Sequence, residues 1–275
     1  MKFFRLHGAG NDFLLFDGRA EPALEATLPP LVATLCHRRL GLGADGVLLV
    51  LPHEEREARL LYWNADGSTA AFCANGTRCA ARLVAERWGW PRVVLHTGFA
   101  PVPAEVRGAE VALTLPAPAA TGPWHELEVD GAIVRALWTE LGVPHLVVPV
   151  AWPDFWTRSL EPLAPELRGH PGLPPGGANV NFVRVVGGEL AARSWERGVE
   201  GETLSCGSGN LVAGLVAAAE GWLAAPVAVR TASGRVLLVE PLGPPPDCRS
   251  RLTGPAEWVA RGDVSAELLS GVRPS

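Results

Sequence analysis

The sequence predicts an α/β protein built as two matching lobes, and three observations carry that expectation. Cys73-Ala74-Asn75-Gly76-Thr77 and Cys206-Gly207-Ser208-Gly209-Asn210 share one design. Each sets a cysteine and a glycine-containing turn ahead of a run rich in Ala, Leu and Val, Arg78 to Arg87 and Leu211 to Glu220, the composition of a buried helix. The spacing repeats as well: Asn11 to Cys73 is 62 residues and His145 to Cys206 is 61. Both helical runs close on Gly-Trp, at Gly89-Trp90 and Gly221-Trp222.

In chain order, Phe3 to Leu6 and Phe13 to Phe16 read as strands joined by His7-Gly8-Ala9-Gly10-Asn11-Asp12. Leu31 to Leu40 has a helical pattern. Gly41-Leu42-Gly43-Ala44-Asp45-Gly46 matches a dinucleotide-binding Gly-x-Gly-x-x-Gly, but a helix precedes it and the strand Val47 to Leu51 follows, so it reads as a turn. Arg59 to Trp63 is a strand ending in Asn64-Ala65-Asp66-Gly67, after which the first cysteine helix begins. Short strands at Val93 to Leu95, Val102 to Val106 and Val111 to Leu115 complete the first half. Pro116 to Ala120 is the linker candidate, giving lobes at 1–117, completed by 263–275, and 118–262. Strands at Ile133 to Leu141, Leu146 to Val150, Phe182 to Val186 and Leu190 to Trp195 then lead to the second cysteine helix. The lobes are expected to face each other across one cleft, a common place for a ligand.

Composition removes several function classes. The net charge of −5 and 24 scattered basic residues disfavour nucleic acid and anionic membrane surfaces as partners. No apolar run reaches the ~20 residues a membrane helix needs, and Met1-Lys2-Phe3-Phe4-Arg5 reads into a strand, so a cytoplasmic protein is expected. Five widely spaced cysteines without Cys-x-x-Cys indicate neither a disulfide framework nor a metal site. The only lysine is Lys2, a poor anchor for pyridoxal phosphate, so no cofactor is expected.

Cys36, Cys79 and Cys248 carry no glycine turn and read as small buried hydrophobes. Cys73 and Cys206 differ. A thiol at a helix start sits where amide N–H groups and the helix dipole favour thiolate and hold a carboxylate. His145 lies in a strand-connecting loop. A lone histidine is more often structural, yet its place in the repeat allows a role beside a thiol. Glu196 and Arg197 could be a solvated pair, but Trp195 before them and a glycine turn after suggest a loop at the cleft. Asn11, Asn64, Asn75, Asn179 and Asn181 could be ordinary turn residues. Their clustering near the glycine turns suits a small zwitterion, which needs fixed neutral donors and acceptors.

Two thiols, one charged and one protonated, on opposite faces of an α-carbon suit inversion of a stereocentre, one removing a proton and the other delivering one. Amides at helix starts could then grip the carboxylate as charge moves onto it. Phe-x-x-x-His-Gly-x-Gly-Asn-Asp-Phe at 3–13, Asn-Ala-Asp-Gly at 64–67, Cys-x-Asn-Gly-x-Arg-Cys at 73–79 and Gly-Glu-Thr-Leu-x-Cys-Gly-x-Gly at 201–209 together resemble diaminopimelate epimerase over essentially the whole chain. The resemblance implies two pseudo-symmetric lobes, each a mixed or antiparallel sheet wrapped around a central helix. It also implies cofactor-independent interconversion of LL- and meso-diaminopimelate, for lysine and peptidoglycan precursors, in a homodimer. By motif it makes Cys73 and Cys206 the acid/base pair, assisted by His145 and Glu196. It assigns substrate binding to Asn11, Asn64, Asn179, Glu196 and Arg197, and the carboxylate cradle to Ala74, Asn75, Gly207 and Ser208, with no metal.

Three departures from the family pattern stand out. Val143 replaces the usual Asn of Gly-Asn-Pro-His, Ala74 replaces Gly, and Glu200 is an apparent insertion. Alternatives are a related proline racemase, disfavoured because proline lacks the second amino-acid head that Asn64, Asn179 and Arg197 would recognise; a cysteine hydrolase pairing Cys206 with His145; and a thiol-redox or metal protein.

Overall fold

A computed structural model of the chain describes residues 1–270. It divides into two compact units, one of Met1–Leu113 and Gly254–Ser275 and one of Thr114–Thr253. The sequence set these limits at 117/118 and 262/263, and residues 271–275 of its return segment lie outside the described residues. The return begins where it does because Glu257–Asp263 is a strand of the first unit, pairing antiparallel with Lys2–Gly8. No helix among the described residues is long and apolar enough to cross a membrane.

In the first unit Lys2–Gly8 and Asn11–Asp17 form an antiparallel pair, and Asn11–Asp17 runs parallel to Gly46–Pro52. Glu57–Asn64, Arg92–His96, Pro101–Arg107 and Glu110–Leu115 extend the sheet in sequence order. The first cysteine helix, Ala74–Trp88, packs against the strands that begin at Lys2, Asn11, Gly46, Arg92 and Pro101. Asn11–Asp17 is buried at almost every position because both faces of the sheet are covered. Phe13 and Leu48 face Gly76 of the helix. Leu14, Phe16, Val47, Leu49 and Leu51 face a second core with Leu24, Leu28, Val32 and Leu35.

The expected helix at 31–40 is shorter. A 3-10 turn at Pro29–Leu31 leads into Val32–Cys36, and the chain leaves the helix at His37 (ψ 119°). There His37 Nδ1 accepts the amides of Arg39 and Leu40, while Leu42 and Gly43 donate back to the Leu35 carbonyl. A side chain at Gly41 would meet the Thr34 carbonyl at 2.0 Å, so the fold-back depends on that glycine. The glycine segment is an irregular bend over 41–45, with Gly46 opening the strand that follows, so no helix comes after it, in line with the sequence reading.

The second unit repeats the plan. Ala120–Val129 and Ala132–Leu141 form a hairpin through Asp130 and Gly131, both at positive φ. Ala120 thus opens a strand, and the irregular linker is confined to 116–119. Ala132–Leu141 continues antiparallel into Val143–Pro149, which runs parallel to Asn179–Val186, itself antiparallel to Glu189–Glu196. Gly201–Thr203, Val227–Arg230, Val236–Pro241 and Ser250–Pro255 extend the array. The second cysteine helix, Gly207–Ala219, is inside it, with Leu211, Val212, Ala213, Leu215, Val216 and Ala217 all at most 2% exposed.

Gly89 (φ 75°) caps the end of the first helix and Gly221 (φ 69°) follows the second, which accounts for the two Gly-Trp closures. Gly214 seats the second helix: a Cβ there would lie 2.7 Å from two side-chain atoms of Val239. Gly214→Val is therefore expected to overpack this contact and lower stability by about 1–3 kcal/mol, read as a reduced urea midpoint.

Candidate active site

In the first unit Cys73 is the N-cap of Ala74–Trp88, with extended backbone (φ −146°, ψ 111°) and a side chain that does not cap the helix. Its carbonyl accepts the amide and the hydroxyl of Thr77, both at 2.8 Å. The helix therefore starts at Ala74, and the first-turn amides have no carbonyl one turn back within it. Ala74 is helical, so the family's usual glycine is not needed there for a left-handed φ.

Asn11 opens its strand, and its Oδ1 accepts Asn75 Nδ2 at 2.6 Å. The turn before it, Ala9 and Gly10, takes positive φ, and Gly8 presses so close that a Cβ would lie 2.6 Å from the Asn75 carbonyl. Beneath this turn Arg38 bridges Asp12 (2.7 Å) and Asp45 (2.6 Å). Burial works against the Asp12 charge, but Arg38 and Arg5 outweigh it and hold the carboxyl below its ordinary value. Asn64 closes its strand, and its carboxamide donates to Ser68 Oγ at 3.0 Å within a separate turn. Arg78 is fully buried on the helix and donates to Asn75 Oδ1 at 2.6 Å.

In the second unit Cys206 is likewise an extended N-cap (φ −93°, ψ 106°), with its Sγ 3.8 Å from Ser208 Oγ. Gly207 and Ser208 begin the helix. Asn179 and Asn181 lie two apart on one strand and so point to one face. Asn179 Oδ1 accepts the Arg197 amide at 2.8 Å, which fixes the turn after Glu196. The Arg197 guanidinium donates to the carbonyls of Gly176 and Gly177, and Glu196 accepts the Thr203 hydroxyl. The extra Glu200 sits at φ 53° and stays in that turn, taking the Gly198 amide and Arg168 on its Oε1.

His145 is fully buried, and the described hydrogen bonds take it to Asn181 Nδ2 (3.3 Å). Asn181 acts as a hub, accepting Ser194 Oγ at 2.9 Å and donating to the Leu146 carbonyl at 3.2 Å. Its carboxamide also abuts the helix start: a Cβ on Gly209 would lie 2.1 Å from Asn181 Oδ1 and 3.2 Å from Cys206 Sγ. An amide that donates to Nδ1 leaves the imidazole proton on Nε2, a buried atom without a hydrogen-bond partner among the described residues. Burial, with the Arg197 charge added, pushes His145 down from 6.5 to about 3, so the ring is neutral.

The first unit thus gathers Asn11, Ala74, Asn75 and Cys73 at one helix start and holds Asn64 in its own turn. The second gathers Asn179, Glu196 and Arg197 at one turn and His145, Gly207 and Ser208 around the other helix start. The sequence did not single out Arg78, Asp45 or Gly209, and it gave Asn181 no particular role. The Asn-x-Asn spacing on a strand was a usable signal for Asn181. One other group, His53, Glu57 and His96, brings possible metal-ligating atoms within 4.8 Å of one another. Its Glu57–His96 hydrogen bond (2.6 Å) and edge-on His53–His96 contact account for the arrangement without an ion.

The neutral His145 has a stability consequence. In the unfolded chain the imidazole protonates near 6.5, but in the folded protein only near 3. The unfolded state therefore binds more protons as pH falls between these values, and stability falls with it. Between pH 7 and pH 5 the loss from this group is on the order of 2 kcal/mol. His145→Gln is expected to flatten that part of the profile, measured by urea unfolding at both pH values.

A family model described as diaminopimelate epimerase matches residues 3–98 and 137–244. A diaminopimelate epimerase of Archaeoglobus fulgidus is 38% identical over 84% of this chain and 86% of its own. That of Aquifex aeolicus is 36% identical over 98% and 99%. Among solved structures, a PhzF-family phenazine biosynthesis protein of Bacillus anthracis superposes with a TM-score of 0.73 at 14% identity, covering 96% of this chain and 99% of that one. A hydroxyproline epimerase of Agrobacterium vitis gives 0.68 at 19%, covering 97% and 92%. At such identities these two share the fold alone. The sequence matches go further: the chain is an isomerase of the epimerase class and belongs to the diaminopimelate epimerase family.

Proposed function

We propose that this chain interconverts LL- and meso-2,6-diaminopimelate, with Cys73 and Cys206 as the acid/base pair and without pyridoxal phosphate. The observation that carries the reading is the recurrence of one device: in each unit a cysteine is the N-cap of the long buried helix. A thiolate takes the α-proton from one face, becoming a thiol, while the other thiol gives its proton to the opposite face and becomes the thiolate. The two sulfurs exchange protonation state, and the reverse reaction starts from the exchanged form. Charge that develops on the α-carbon spreads into the substrate carboxylate, and on this reading the first-turn amides of Ala74 and Asn75 and of Gly207 and Ser208 would be its donors.

Asn11, Asn64, Asn179 and Arg197 supply fixed polar groups for the rest of the substrate. Asn11 and Asn179 are themselves oriented by hydrogen bonds, which lowers the ordering cost of binding. Glu196 and a neutral His145 support the thiols. Val143 offers no amide side chain, so the distal amino-acid group would be held by fewer donors than in the family pattern. The reading carries with it a cytoplasmic homodimer contributing to lysine and peptidoglycan precursors.

The test is wash-in of solvent deuterium at the α-carbon of LL-diaminopimelate, followed by mass spectrometry as the stereocentre inverts. Cys73→Ala and Cys206→Ala are each expected to lower turnover by at least ~10²–10⁴-fold in both directions. Turnover of proline in preference to diaminopimelate would replace the substrate. Indifference to Cys73→Ala, together with a covalent acyl-enzyme on Cys206, would replace the two-thiol mechanism with hydrolysis.

A further inference from the structure

The two cysteine helices differ in one respect that bears on which sulfur is charged before substrate arrives. Five residues after Cys73 stands Arg78, with no measurable exposure. Five residues after Cys206 stands Leu211, equally buried, and Gly207–Ala219 contains no charged residue at all. Among the described residues no carboxylate is in hydrogen-bond contact with Arg78. Its partners among the described residues are Asn75 Oδ1 (2.6 Å) and the carbonyls of Pro255 (3.4 Å) and Ala74 (3.5 Å). A guanidinium stays protonated in such surroundings, so its field must fall on whatever nearby group can take negative charge.

We infer that Arg78 is a positioning residue that breaks the symmetry of the pair: its buried guanidinium makes Cys73 the resting thiolate, leaves Cys206 the resting thiol, and locks the Asn75–Asn11 contact beside Cys73. The inference rests on the acid/base reading above for its significance, though not for its test. The groups around the site support this assignment. Burial works against the Arg78 charge, and Cys79, Cys73 and Glu110 are the groups whose negative charge would offset that cost. Cys79 on the same helix is fully buried and pushed up to about 12, so it remains a thiol. Glu110 is an exposed residue on the far strand. Asp12 is taken by Arg5 and Arg38, and His7 on the first strand faces Glu257 on the last. That leaves Cys73, partly exposed and at a helix start, to take the charge. In the second unit the Arg197 guanidinium is bound to two glycine carbonyls, and the buried His145 is neutral.

The hydrogen bonds give Arg78 a second consequence. It donates to Asn75 Oδ1, so the Asn75 amide nitrogen is turned toward Asn11 Oδ1. Asn11 Nδ2 in turn approaches Asp45 Oδ2 (3.4 Å). Removing the guanidinium loosens this line as well as removing the charge, whereas lysine keeps the charge but not the fork geometry.

The experiment measures iodoacetamide alkylation of the whole protein as a function of pH, with peptides carrying Cys73 and Cys206 quantified separately by mass spectrometry. Access changes the plateau rate of each thiol but not its midpoint. In the wild type the Cys73 midpoint is expected at least about one pH unit below that of Cys206, a roughly tenfold larger thiolate fraction at neutral pH. Arg78→Gln is expected to raise the Cys73 midpoint and leave Cys206 in place, and Arg78→Lys to restore most of the difference. A wild-type Cys206 midpoint at or below that of Cys73 overturns the inference whether or not any variant folds. An unmoved Cys73 midpoint in a folded Arg78→Gln, or equal movement of both, overturns it too. If the midpoints order as expected while diaminopimelate shows no exchange, the substrate reading fails and the charge assignment stands.

Discussion

Everything at the candidate site depends on how tightly the two cysteine helices are held. A helix buried on nearly all sides cannot slide or rotate without opening voids, so its first turn is fixed as firmly as its middle. Gly76 against Phe13 and Leu48, and Gly214 against Val239, are the contacts that set the depth of each helix. Gly8 against Asn75 and Gly209 against Asn181 then bring polar backbone and carboxamide directly onto the helix starts. The glycines are therefore part of the candidate site, because a Cβ at any of these positions would crowd the helix or its start and shift the cysteine N-cap with it.

The polar groups around those starts are mostly neutral and mutually satisfied. Asn181 serves His145, Ser194 and two backbone carbonyls, and Asn179 orders Arg197 through its main chain. Fixed neutral dipoles of this kind stabilise developing charge without reorganising, which is what the proposed deprotonation of a weak carbon acid would demand. Charge is used sparingly and placed unequally: a buried cation behind one thiol, a buried neutral imidazole in the other unit.

The framework was legible in the sequence because duplication writes itself twice. The paired Cys-turn-helix segments, the matched spacings and the Gly-Trp endings all correspond to helices with identifiable starts and stops. Most strands of the first half were visible as apolar runs between glycines. The strands Ala120–Val129, Val227–Arg230 and Val236–Pro241 were not, since a mix of Gly, Pro, Trp, His and Glu, or short valine runs beside prolines, resemble loops until partners are known. The helix at 31–40 was overread because its last four residues continue the periodicity, while the fold-back at Gly41 is decided by packing that a pattern does not contain. Arg78 was passed over for a related reason. An arginine in a helical run reads as an exposed residue, and only the tertiary structure shows it to be the most buried kind of cation.

That oversight points to a general feature of duplicated sites. If Cys73 and Cys206 are the acid/base pair, two halves that began alike present the same residue at the reacting position and still need to differ, since a proton donor and a proton acceptor are distinct at any instant even when they trade roles each cycle. Symmetric environments would leave the free protein divided between forms with two thiols, two thiolates and one of each, and only the last would be competent in the proposed mechanism. A single buried charge five residues behind one sulfur is a small way to favour it. The bias must also stay modest, because a thiolate stabilised too far becomes a poor base for the next proton. An arginine placed a helical turn and a half along the chain, with its hydrogen bonds going to a carboxamide and to backbone carbonyls, has that moderate character.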